Sequence, residues 1–344
     1  MKDLPLLPTT VVGSHGHPGW WHEGRAAYEA GKWGPYDLEE LFNDAADIAI
    51  LDQERAGVDI ITDGEVRRLD GYVDSYYNII EGLHPIPSTR QVGPWGYDQQ
   101  TRYEAVGKIK VPSGLGIVQE FAYLRAHTAR ATKATCAGPL TFGSRVRPGS
   151  AYKDVIEVSE EFAHVINDEL KALVAAGADF IQIDEPARGN VTGQEMARLF
   201  NMATQGVTAK LAFHICFGNR FGRARFKRSY QDYFPGVLEA HTDQFVLEFA
   251  SREFAEIALW QQWDDGRELG AGVIDVKSFH PETPEDVAAR IRRLLQFVKP
   301  EKLYLNPDCG FGWSPRGMCV QKLQAMVAGA KIVRAELNKA CRQD

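Results

Sequence analysis

Short apolar runs with strand character recur along the chain, and stretches with helical spacing separate them. In one such stretch apolar residues return every three or four positions, at Leu38, Leu41, Phe42, Ala45, Ile48 and Ala49. The pattern predicts strands at 10–13, 59–62, 133–141, 179–184, 210–216, 244–248, 271–276 and 302–306. It predicts helices that include 160–176, 284–298 and 318–337. The sequence therefore contains eight consecutive β/α units.

Strands that alternate with helices form a parallel sheet, and eight such units predict a closed (β/α)8 or TIM barrel. We expect an α/β protein with one catalytic barrel domain over residues 1–344. Residues 70–131 break the rhythm, because prolines mark a loop, 103–111 alternates like a hairpin strand and 118–131 has helical spacing. No flexible linker flanks this segment. We interpret it as an insertion of a hairpin and a helix between strands two and three.

Polar residues stand where the predicted strands end. They are Ser14, Glu65, Thr141, Asp184, His214 with Cys216, Glu248, Asp275 with Lys277, and Asp308 with Cys309. In a TIM barrel the active site forms at the C-terminal ends of the strands. Helix N-caps, which favour Ser, Asp and Asn, would explain Ser14 and Asp184 but not Cys309. The pattern therefore indicates a functional site at the mouth of the barrel.

Four of these residues are of types that bind metal. His214 and Cys216 point to the same face of a strand, because successive side chains alternate. Glu248 and Cys309 close two other apolar runs. Imidazole, carboxylate and thiolate are the donors that zinc takes in four-coordinate sites. A His-x-Cys pair alone is more often part of a core, since free cysteine packs as a small hydrophobe, but the other two strand ends favour zinc.

The composition limits the cellular compartments and the binding partners that we expect. The chain has 344 residues, 44% of them hydrophobic, and a net charge of −7, with a pI of about 5.8. An acidic balance argues against nucleic acid or an acidic membrane surface as a partner. We find neither an apolar signal segment nor a run long enough for a membrane helix. Five cysteines, an odd number, favour reduced thiols over disulfides. We expect a cytoplasmic protein.

The order of the motifs resembles the C-terminal catalytic barrel of the cobalamin-independent methionine synthase family, in a short form without the N-terminal duplicate barrel. The matching segments are 8–14, 63–67, 136–141, 181–187, 214–216, 245–248, 272–276 and 306–310. They span nearly the whole chain in the family's order. Together they are specific, although most of them are not specific singly.

The resemblance implies a zinc site and a pocket for an amino-acid thiol, homocysteine. Its implied zinc ligands are His214, Cys216, Glu248 and Cys309. The implied substrate contacts are the backbone of Gly13 and Ser14 for the carboxylate, and Glu65 and Asp184 for the ammonium. These pairings are physically reasonable, because a buried ammonium needs carboxylates. Zinc would keep the substrate sulfur in its nucleophilic thiolate form, so the implied reaction is S-methylation of homocysteine to methionine.

Three departures from the family bear on the methyl donor. The tryptophan that stacks on the pterin in folate-dependent members is replaced in the segment ending at Arg145, Lys277 stands in place of a proton-handling histidine, and the N-terminal barrel is absent. We therefore expect methylcobalamin or a corrinoid protein as donor. Folate-dependent methionine synthesis and epoxide opening by coenzyme M remain alternatives, although a sulfonate would favour positive charge over Glu65 and Asp184.

Several further assignments rest on position alone. Asp275 and Lys277 are candidate catalytic residues. Arg145, His15 and Trp20 are candidate donor-binding residues, and the His and Trp cluster around His15 could form a lid or a corrin-binding face. A basic run could be a patch for an anionic donor, but a solvated surface is the commoner explanation; it comprises Arg220, Arg223, Arg225, Lys227 and Arg228.

The sequence is also compatible with two other classes of protein. One is a barrel, or a metal-binding chaperone, whose zinc is structural and which has no turnover. The other is a hydrolytic or decarboxylase-like barrel, which would not require two thiol ligands. Glu65 and Asp184 favour an enzyme over a structural site, because a structural zinc needs only its own ligands.

Overall fold

The computed structural model describes residues 4–68, 73–86, 101–186, 191–219, 227–263 and 265–340. The α-helices are α1 Gly19–Glu29, α2 Pro35–Ala56, α3 Ile117–Ala126, α4 Pro139–Gly143, α5 Val155–Ala175, α6 Gly193–Thr204, α7 Trp260–Trp263, α8 Pro284–Leu294 and α9 Arg316–Ala340. The strands are β1 Ile60–Ile61, β2 Glu81–Ile86, β3 Arg102–Lys110, β4 Ala131–Thr132, β5 Ala134–Ala137, β6 Val146–Arg147, β7 Phe180–Asp184, β8 Lys210–Ile215, β9 Gln244–Leu247, β10 Glu268–Ile274 and β11 Leu303–Pro307.

Six parallel strands form a continuous sheet in the order β5, β7, β8, β9, β10 and β11. The segment before α1 connects the edge strand β11 to β1, because Thr9 bridges to Leu305 and Thr10 bridges to Ile60. β1 then pairs with β4, and the Lys133 N–H donates to the Ile61 carbonyl at 2.9 Å. These contacts complete a ring of eight strand segments. The TIM barrel predicted from the sequence is confirmed.

The barrel strands are apolar because helices cover their outer face and side chains fill the inside. β7, β9 and β11 are buried along their whole length. The helices begin where the sequence provides caps. The Asp154 carboxylate accepts the Ile156 and Glu157 N–H groups at the start of α5, and Thr283 forms a capping box with Asp286 at the start of α8.

Several elements differ from their predicted boundaries. The strand predicted over 10–13 is reduced to isolated bridges at Thr9 and Thr10, and the strand predicted over 271–276 spans Glu268–Ile274. The strand predicted over 133–141 ends at Ala137, and Pro139 opens α4 at a position where proline favours a helix start. Thr141 therefore lies on a helix, from which its hydroxyl donates to Glu185 at 2.7 Å. The helix predicted over 118–131 stops at Ala126, because Ala131 already belongs to the barrel.

The remaining strands form a small sheet beside the barrel. β2 and β3 pair in antiparallel register, and β3 pairs with β6 in parallel register. α3 follows and packs against α5. A hairpin and a helix thus occupy the region where the sequence predicts them. Within the described part of the chain, every helix is too short or too polar to cross a membrane.

Candidate active site

The C-terminal ends of β8 and β11 bring three of the predicted metal ligands together. His214 and Cys216 follow one another on and just after β8, and Cys309 follows β11. One donor atom from each residue lies within 4.8 Å of the other two. The two sulfurs are 3.4 Å apart, and both cysteines are free thiols. We call His214, Cys216 and Cys309 the donor group.

The neighbouring strand orients the His214 imidazole. Its Nδ1 lies 3.1 Å from the Val246 carbonyl oxygen on β9. A carbonyl only accepts hydrogen bonds, so the proton of the neutral ring belongs on Nδ1 and the lone pair on Nε2. Nε2 is buried and makes no hydrogen bond with the described residues. A buried nitrogen with a free lone pair of this kind can coordinate a metal ion.

The electrostatics of the donor group suit a cation. The hydrogen bond with Cys216, opposed by burial and reinforced by His214 and Lys277, holds the pKa of Cys309 well below that of an ordinary thiol. Two cysteine sulfurs and one imidazole nitrogen are donors of the kind that zinc, a borderline-soft ion, accepts. The side chains present therefore fit zinc, which members of the family are expected to bind. A metal held by these three donors alone would have a fourth position open to substrate, as in catalytic zinc sites.

The fourth predicted ligand, Glu248, lies beside the donor group but is engaged elsewhere. Its Oε1 accepts hydrogen bonds from Lys277 Nζ and Ser251 Oγ, both at 2.6 Å. Its Oε2 accepts the Phe217 N–H at 3.1 Å. The carboxylate is fully buried, and it lies close enough to Cys216 to raise the pKa of that thiol, after the larger effects of Cys309 and burial.

Two residues hold the loop after Glu248 in place. The Asp308 carboxylate accepts the N–H groups of Phe249, Ala250 and Ser251 at 2.6 to 2.9 Å. The Tyr230 hydroxyl receives the Glu248 N–H at 2.6 Å and donates to the Ile215 carbonyl at 2.8 Å. These contacts join the ends of β8, β9 and β11, so the positions of the donor group and of Glu248 are mutually dependent.

Two of the predicted substrate contacts, Gly13 and Glu65, touch each other. A Cβ added at Gly13 would lie 2.2 Å from Glu65 Oε1, so only glycine allows this approach. Glu65 has a φ of 56°, which few residues other than glycine adopt. Its carboxylate accepts hydrogen bonds from Thr135 Oγ1 at 2.7 Å and from Arg68 at 3.0 Å. Burial raises the pKa of Glu65, although Arg68 opposes the rise.

The second predicted carboxylate, Asp184, lies at the end of β7 in register with His214 on β8. Its Oδ1 accepts a hydrogen bond from Gln182 at 2.7 Å. Burial raises the pKa of Asp184 to about 7, against the opposing effects of His214 and Lys133. Burial likewise lowers the pKa of the Lys133 amine to about 7. The pKa of Asp184 thus responds both to His214 of the donor group and to the buried Lys133.

Ser14 lies where the first loop meets the loop after β11. Its carbonyl accepts the Phe311 N–H at 2.9 Å, and its Oγ accepts the Gly312 N–H at 3.1 Å. A Cβ on Gly310 would lie 2.1 Å from Ser14 Oγ, so the two loops are in direct contact. Ser14 is therefore held next to the turn that carries Cys309.

The candidate catalytic residue Asp275 has a local role in the loop after β10. Its Oδ1 accepts the N–H of Lys277 at 2.8 Å, and its own N–H donates to Glu282 at 2.8 Å. The Asp275 carbonyl accepts a hydrogen bond from the buried Lys322 at 3.0 Å. Asp275 thus shapes the turn that directs Lys277 towards Glu248.

The candidate donor-binding residues have other contacts. His15 is buried, and its Nε2 lies 3.1 Å from Asp52 on α2. Asp52 also pairs with Arg316 of α9 at 2.6 Å, so His15 ties the first loop to two helices. Trp20 lies on α1 and is 43% exposed.

Arg145 pairs with Asp74, and its guanidinium lies 5.8 Å from the centre of the Tyr77 ring. Most of the basic run, residues 220–226, lies outside the described residues. Lys227 pairs with Asp232, and Arg228 donates to the Ser251 carbonyl at 3.1 Å. The described end of the run is thus an exposed surface with one contact near Glu248.

Sequence reasoning missed the basic side chains beneath the site. Arg68 is buried and joins Glu65 to Glu120 of α3 and to the Thr135 carbonyl. Lys133 donates to Gln182 and to the Val11 carbonyl, both at 2.5 Å. A lysine within an otherwise apolar strand was the available signal for Lys133. The aromatic residue Tyr230 lies in a loop, where the sequence offers no comparable signal.

The fold and the donor group define a class of protein, a (β/α)8 barrel with thiol and imidazole donors gathered at the C-terminal ends of its strands. Comparison with known proteins specifies the family. Residues 7–332 match the family model described as the catalytic domain of the cobalamin-independent synthases. The chain belongs to the cobalamin-independent methionine synthase family, and is thus a methyltransferase of methionine biosynthesis.

Individual relatives match over almost their whole length. The chain is 36% identical over 341 residues to a methionine synthase of Sulfurisphaera tokodaii, covering 98% of this chain and 96% of that protein. It is 36% identical over 343 residues to one of Saccharolobus solfataricus, covering 98% of each. A B12-independent methionine synthase from Shewanella sp. W3-18-1, solved in complex with selenomethionine, matches with a TM-score of 0.82 at 29% identity, covering 97% of this chain and 99% of that one.

The family expected from the sequence is therefore confirmed. The comparisons do not support the methyl donor that we expected from the sequence. A family described as cobalamin-independent gives no support to methylcobalamin or to a corrinoid protein as the donor.

Proposed function

We propose that this protein makes methionine by transferring a methyl group to the sulfur of homocysteine, and that it depends on zinc. The observation that carries the proposal is the convergence of His214, Cys216 and Cys309 within 4.8 Å, next to the buried carboxylates of Glu65 and Asp184. Zinc, when bound, would supply a positive charge that keeps the substrate sulfur deprotonated.

The amino-acid part of homocysteine would bind beside the donor group. Glu65 and Asp184 are suited to pair with the ammonium, because both are buried and a buried ammonium needs negative partners. The backbone of Gly13 and Ser14 would bind the carboxylate. In the reaction the sulfur supplies the electron pair of the new bond to carbon. The bond between the methyl group and its donor breaks, and that electron pair stays with the donor.

The donor we propose is not a corrinoid, in line with the family's description, and methyltetrahydrofolate is the first compound to test. Arg145 ends the segment in which folate-dependent members carry a pterin-stacking tryptophan. Its guanidinium pairs with Asp74 and lies over the Tyr77 ring. Arg145 is thus part of the packing near β6, and we propose no donor-binding role for it.

Two measurements test the proposal separately for acceptor and donor. Protein loaded with Co²⁺ in place of zinc should gain thiolate-to-metal charge-transfer absorption when homocysteine is added, and serine should give no such change. An unchanged spectrum would show that homocysteine does not reach the metal and would favour a structural site. Zinc-loaded protein should form methionine from homocysteine and methyltetrahydrofolate. Methionine from methylcobalamin alone would overturn the donor proposal and leave the acceptor proposal intact.

A further inference from the structure

Arg68 is a buried arginine that lies between Glu65, one of the carboxylates suited to the substrate ammonium, and helix α3. Its side chain is 2% exposed. Nη1 donates to Glu65 Oε1 at 3.0 Å, and Nε donates to Glu120 Oε2 of α3 at 2.8 Å. Nη2 donates to the Thr135 carbonyl at 2.8 Å. Each guanidinium nitrogen has an acceptor, so the planar group is held in one place.

The turn that carries Arg68 also fixes the backbone of Glu65. The Asp63 Oδ1 accepts the Glu65 N–H at 3.1 Å, and the Arg68 N–H donates to the Glu65 carbonyl at 3.1 Å. With a φ of 56°, Glu65 keeps a conformation that is unfavourable for a residue with a side chain. The surrounding hydrogen bonds therefore hold both the backbone and the side chain of this carboxylate.

The two oxygens of the Glu65 carboxylate are in different situations. Oε1 accepts hydrogen bonds from Arg68 and from Thr135 Oγ1, the latter at 2.7 Å. Among the described residues, Oε2 accepts no hydrogen bond. Oε2 lies beside the Gly13 backbone, 3.3 Å from the point that a Cβ there would occupy. Arg68 and Thr135 thus bind one oxygen and leave the other for a ligand.

The charges around Arg68 favour a further cation. Although burial alone would lower the pKa of the Arg68 guanidinium, Glu120, Glu65 and Asp63 raise it. All three carboxylates are buried, and within the described part of the chain Asp63 Oδ2 makes no hydrogen bond. Three buried carboxylates therefore share one guanidinium. Because buried negative charge is costly without a cation, the ammonium of an amino acid would reduce this excess.

We propose that Arg68 is a positioning residue that holds Glu65 with one oxygen directed to the substrate ammonium, and that Glu120 fixes Arg68 in turn. The inference rests on the proposed function, because it assumes that homocysteine binds with its ammonium at Glu65. A carboxylate that is already ordered loses less conformational entropy when the ligand binds. The substrate pocket then depends on α3, which lies in the segment between β1 and β4.

Two other roles for Arg68 predict different results. The guanidinium could bind the substrate carboxylate itself, since arginine recognises carboxylates well. It could also be a purely structural link, whose loss would lower stability without favouring one ligand over another. Thiols that lack one group of homocysteine separate the three roles. The ligand γ-mercaptobutyrate has no ammonium, and homocysteamine has no carboxylate.

The test compares these thiols on Co²⁺-loaded wild type and Arg68→Met by thiolate-to-metal charge-transfer absorption. Wild type should bind homocysteine about 10- to 100-fold more tightly than γ-mercaptobutyrate, the range for a hydrogen bond to a charged group. In Arg68→Met this preference should fall by about tenfold, on the scale of ordering one side chain. The preference for homocysteine over homocysteamine should stay as in wild type. Ratios within one protein cancel a general loss of metal or thiol binding.

A double-mutant cycle tests whether the effect passes through Glu65. In Glu65→Gln the preference for the ammonium should already be weak, and adding Arg68→Met should change it little. Glu120→Gln keeps the shape of the side chain but removes the charge that holds Arg68, so it should lower the preference by a smaller factor. Arg198→Met removes an exposed arginine of α6 that pairs with Glu195 and should leave all three affinities unchanged.

Three results would overturn the inference. Arg68→Met could keep the full preference for homocysteine over γ-mercaptobutyrate, or it could lose the preference over homocysteamine, which would assign Arg68 to the substrate carboxylate. Arg68→Met could also have an equally large effect in the Glu65→Gln background, which would show that it does not act through Glu65.

Circular dichroism checks that each variant folds, because Arg68→Met leaves buried carboxylates without their cation. If Arg68→Met does not fold, Glu120→Gln decides by the same comparison, and a ratio equal to that of wild type would overturn the inference. A wild type that gives no response to homocysteine would overturn the proposed function itself. That result differs from a wild-type response that Arg68→Met leaves unchanged, which would overturn the role of Arg68 alone.

Discussion

The sulfur of Cys309 lies 3.4 Å from the sulfur of Cys216, although 93 residues separate them in the chain. Their strands are not neighbours, because β9 and β10 lie between β8 and β11. The two thiols therefore meet across the mouth of the barrel. This contact forms only when the whole barrel has folded. The donor group therefore depends on the complete fold.

Replacing Cys309 by serine should cost the protein its zinc. A serine hydroxyl is a poor substitute for a thiolate donor, so we expect zinc affinity to fall by at least the roughly 10- to 100-fold that follows loss of outer partners, and methionine formation to fall with it. Metal content after dialysis against a chelator measures the effect. Cys319→Ser is the matched control, because that thiol is buried near the Ser314 and Pro315 carbonyls. Full activity of metal-free Cys309→Ser would contradict the proposed mechanism.

Replacing Asp184 by asparagine should weaken homocysteine binding while zinc stays bound. The change removes the charge that would pair with the ammonium, and a hydrogen bond to a charged group is worth about 1.5 to 3 kcal/mol, or roughly 10- to 100-fold in affinity. Titration of the Co²⁺ form with homocysteine measures this. Asp168→Asn, on the exposed side of α5, controls for loss of a carboxylate. An unchanged affinity would show that the ammonium pocket is misassigned.

Adding a methyl group at Gly13 should damage the same pocket. The Cβ of Gly13→Ala would lie 2.2 Å from Glu65 Oε1, so the carboxylate must move away from Thr135 and Arg68. We expect homocysteine affinity to fall by about tenfold or more, with a loss of stability of about 1 to 3 kcal/mol from the forced shift. Gly19→Ala lies nearby with nothing within 4 Å of its Cβ and should behave as wild type. Equal titrations for the two variants would show that Gly13 does not limit the pocket.

The barrel could be predicted because its signal is local and repeated. Each apolar run, followed by a helical stretch, marks one unit. The count of eight units predicts that the first and last units are neighbours, and the bridge between Thr9 and Leu305 is that contact in the structure. The polar residues at the strand ends follow from the same geometry, since parallel strands end at one edge. This is why His214, Cys216, Glu248 and Cys309 could be grouped from the sequence as candidate metal ligands.

The partners of these side chains could not be predicted in the same way. Whether Glu248 faces the donor group or Lys277 depends on loop conformation and side-chain rotamers, and both arrangements fit the same spacing. Arg68 reaches Glu120 across 52 positions, through a segment whose length the sequence pattern does not constrain. The expectation of a corrinoid donor rests on three departures from the family, among them the missing tryptophan near Arg145 and Lys277 in place of a histidine. These departures are weak support for a corrinoid donor against the description of the whole family.

The last prediction concerns stability and pH. Glu282 lies 2.8 Å from the fully buried Lys322 and also accepts hydrogen bonds from the Asp275 N–H and from Arg290. Although burial alone would raise the pKa of Glu282, these partners lower it below its ordinary value. Glu282→Gln leaves Lys322 without its carboxylate, so we expect a loss of about 3 kcal/mol in the free energy of unfolding at pH 7, the scale for breaking a buried pair.

The sign of the pH dependence follows from the lowered pKa of Glu282. The carboxylate contributes its stabilisation above the unfolded pKa of about 4.3, and loses it as the pH falls through the lower pKa of the folded state. The difference in unfolding free energy between wild type and Glu282→Gln should therefore be largest at pH 7 and shrink below about pH 4. Urea unfolding at several pH values measures it. Glu336→Gln, which breaks an exposed pair with Arg292, should change stability little at any pH. A difference for Glu282→Gln that stays constant down to pH 3 would show that packing, and not the ion pair, accounts for the loss.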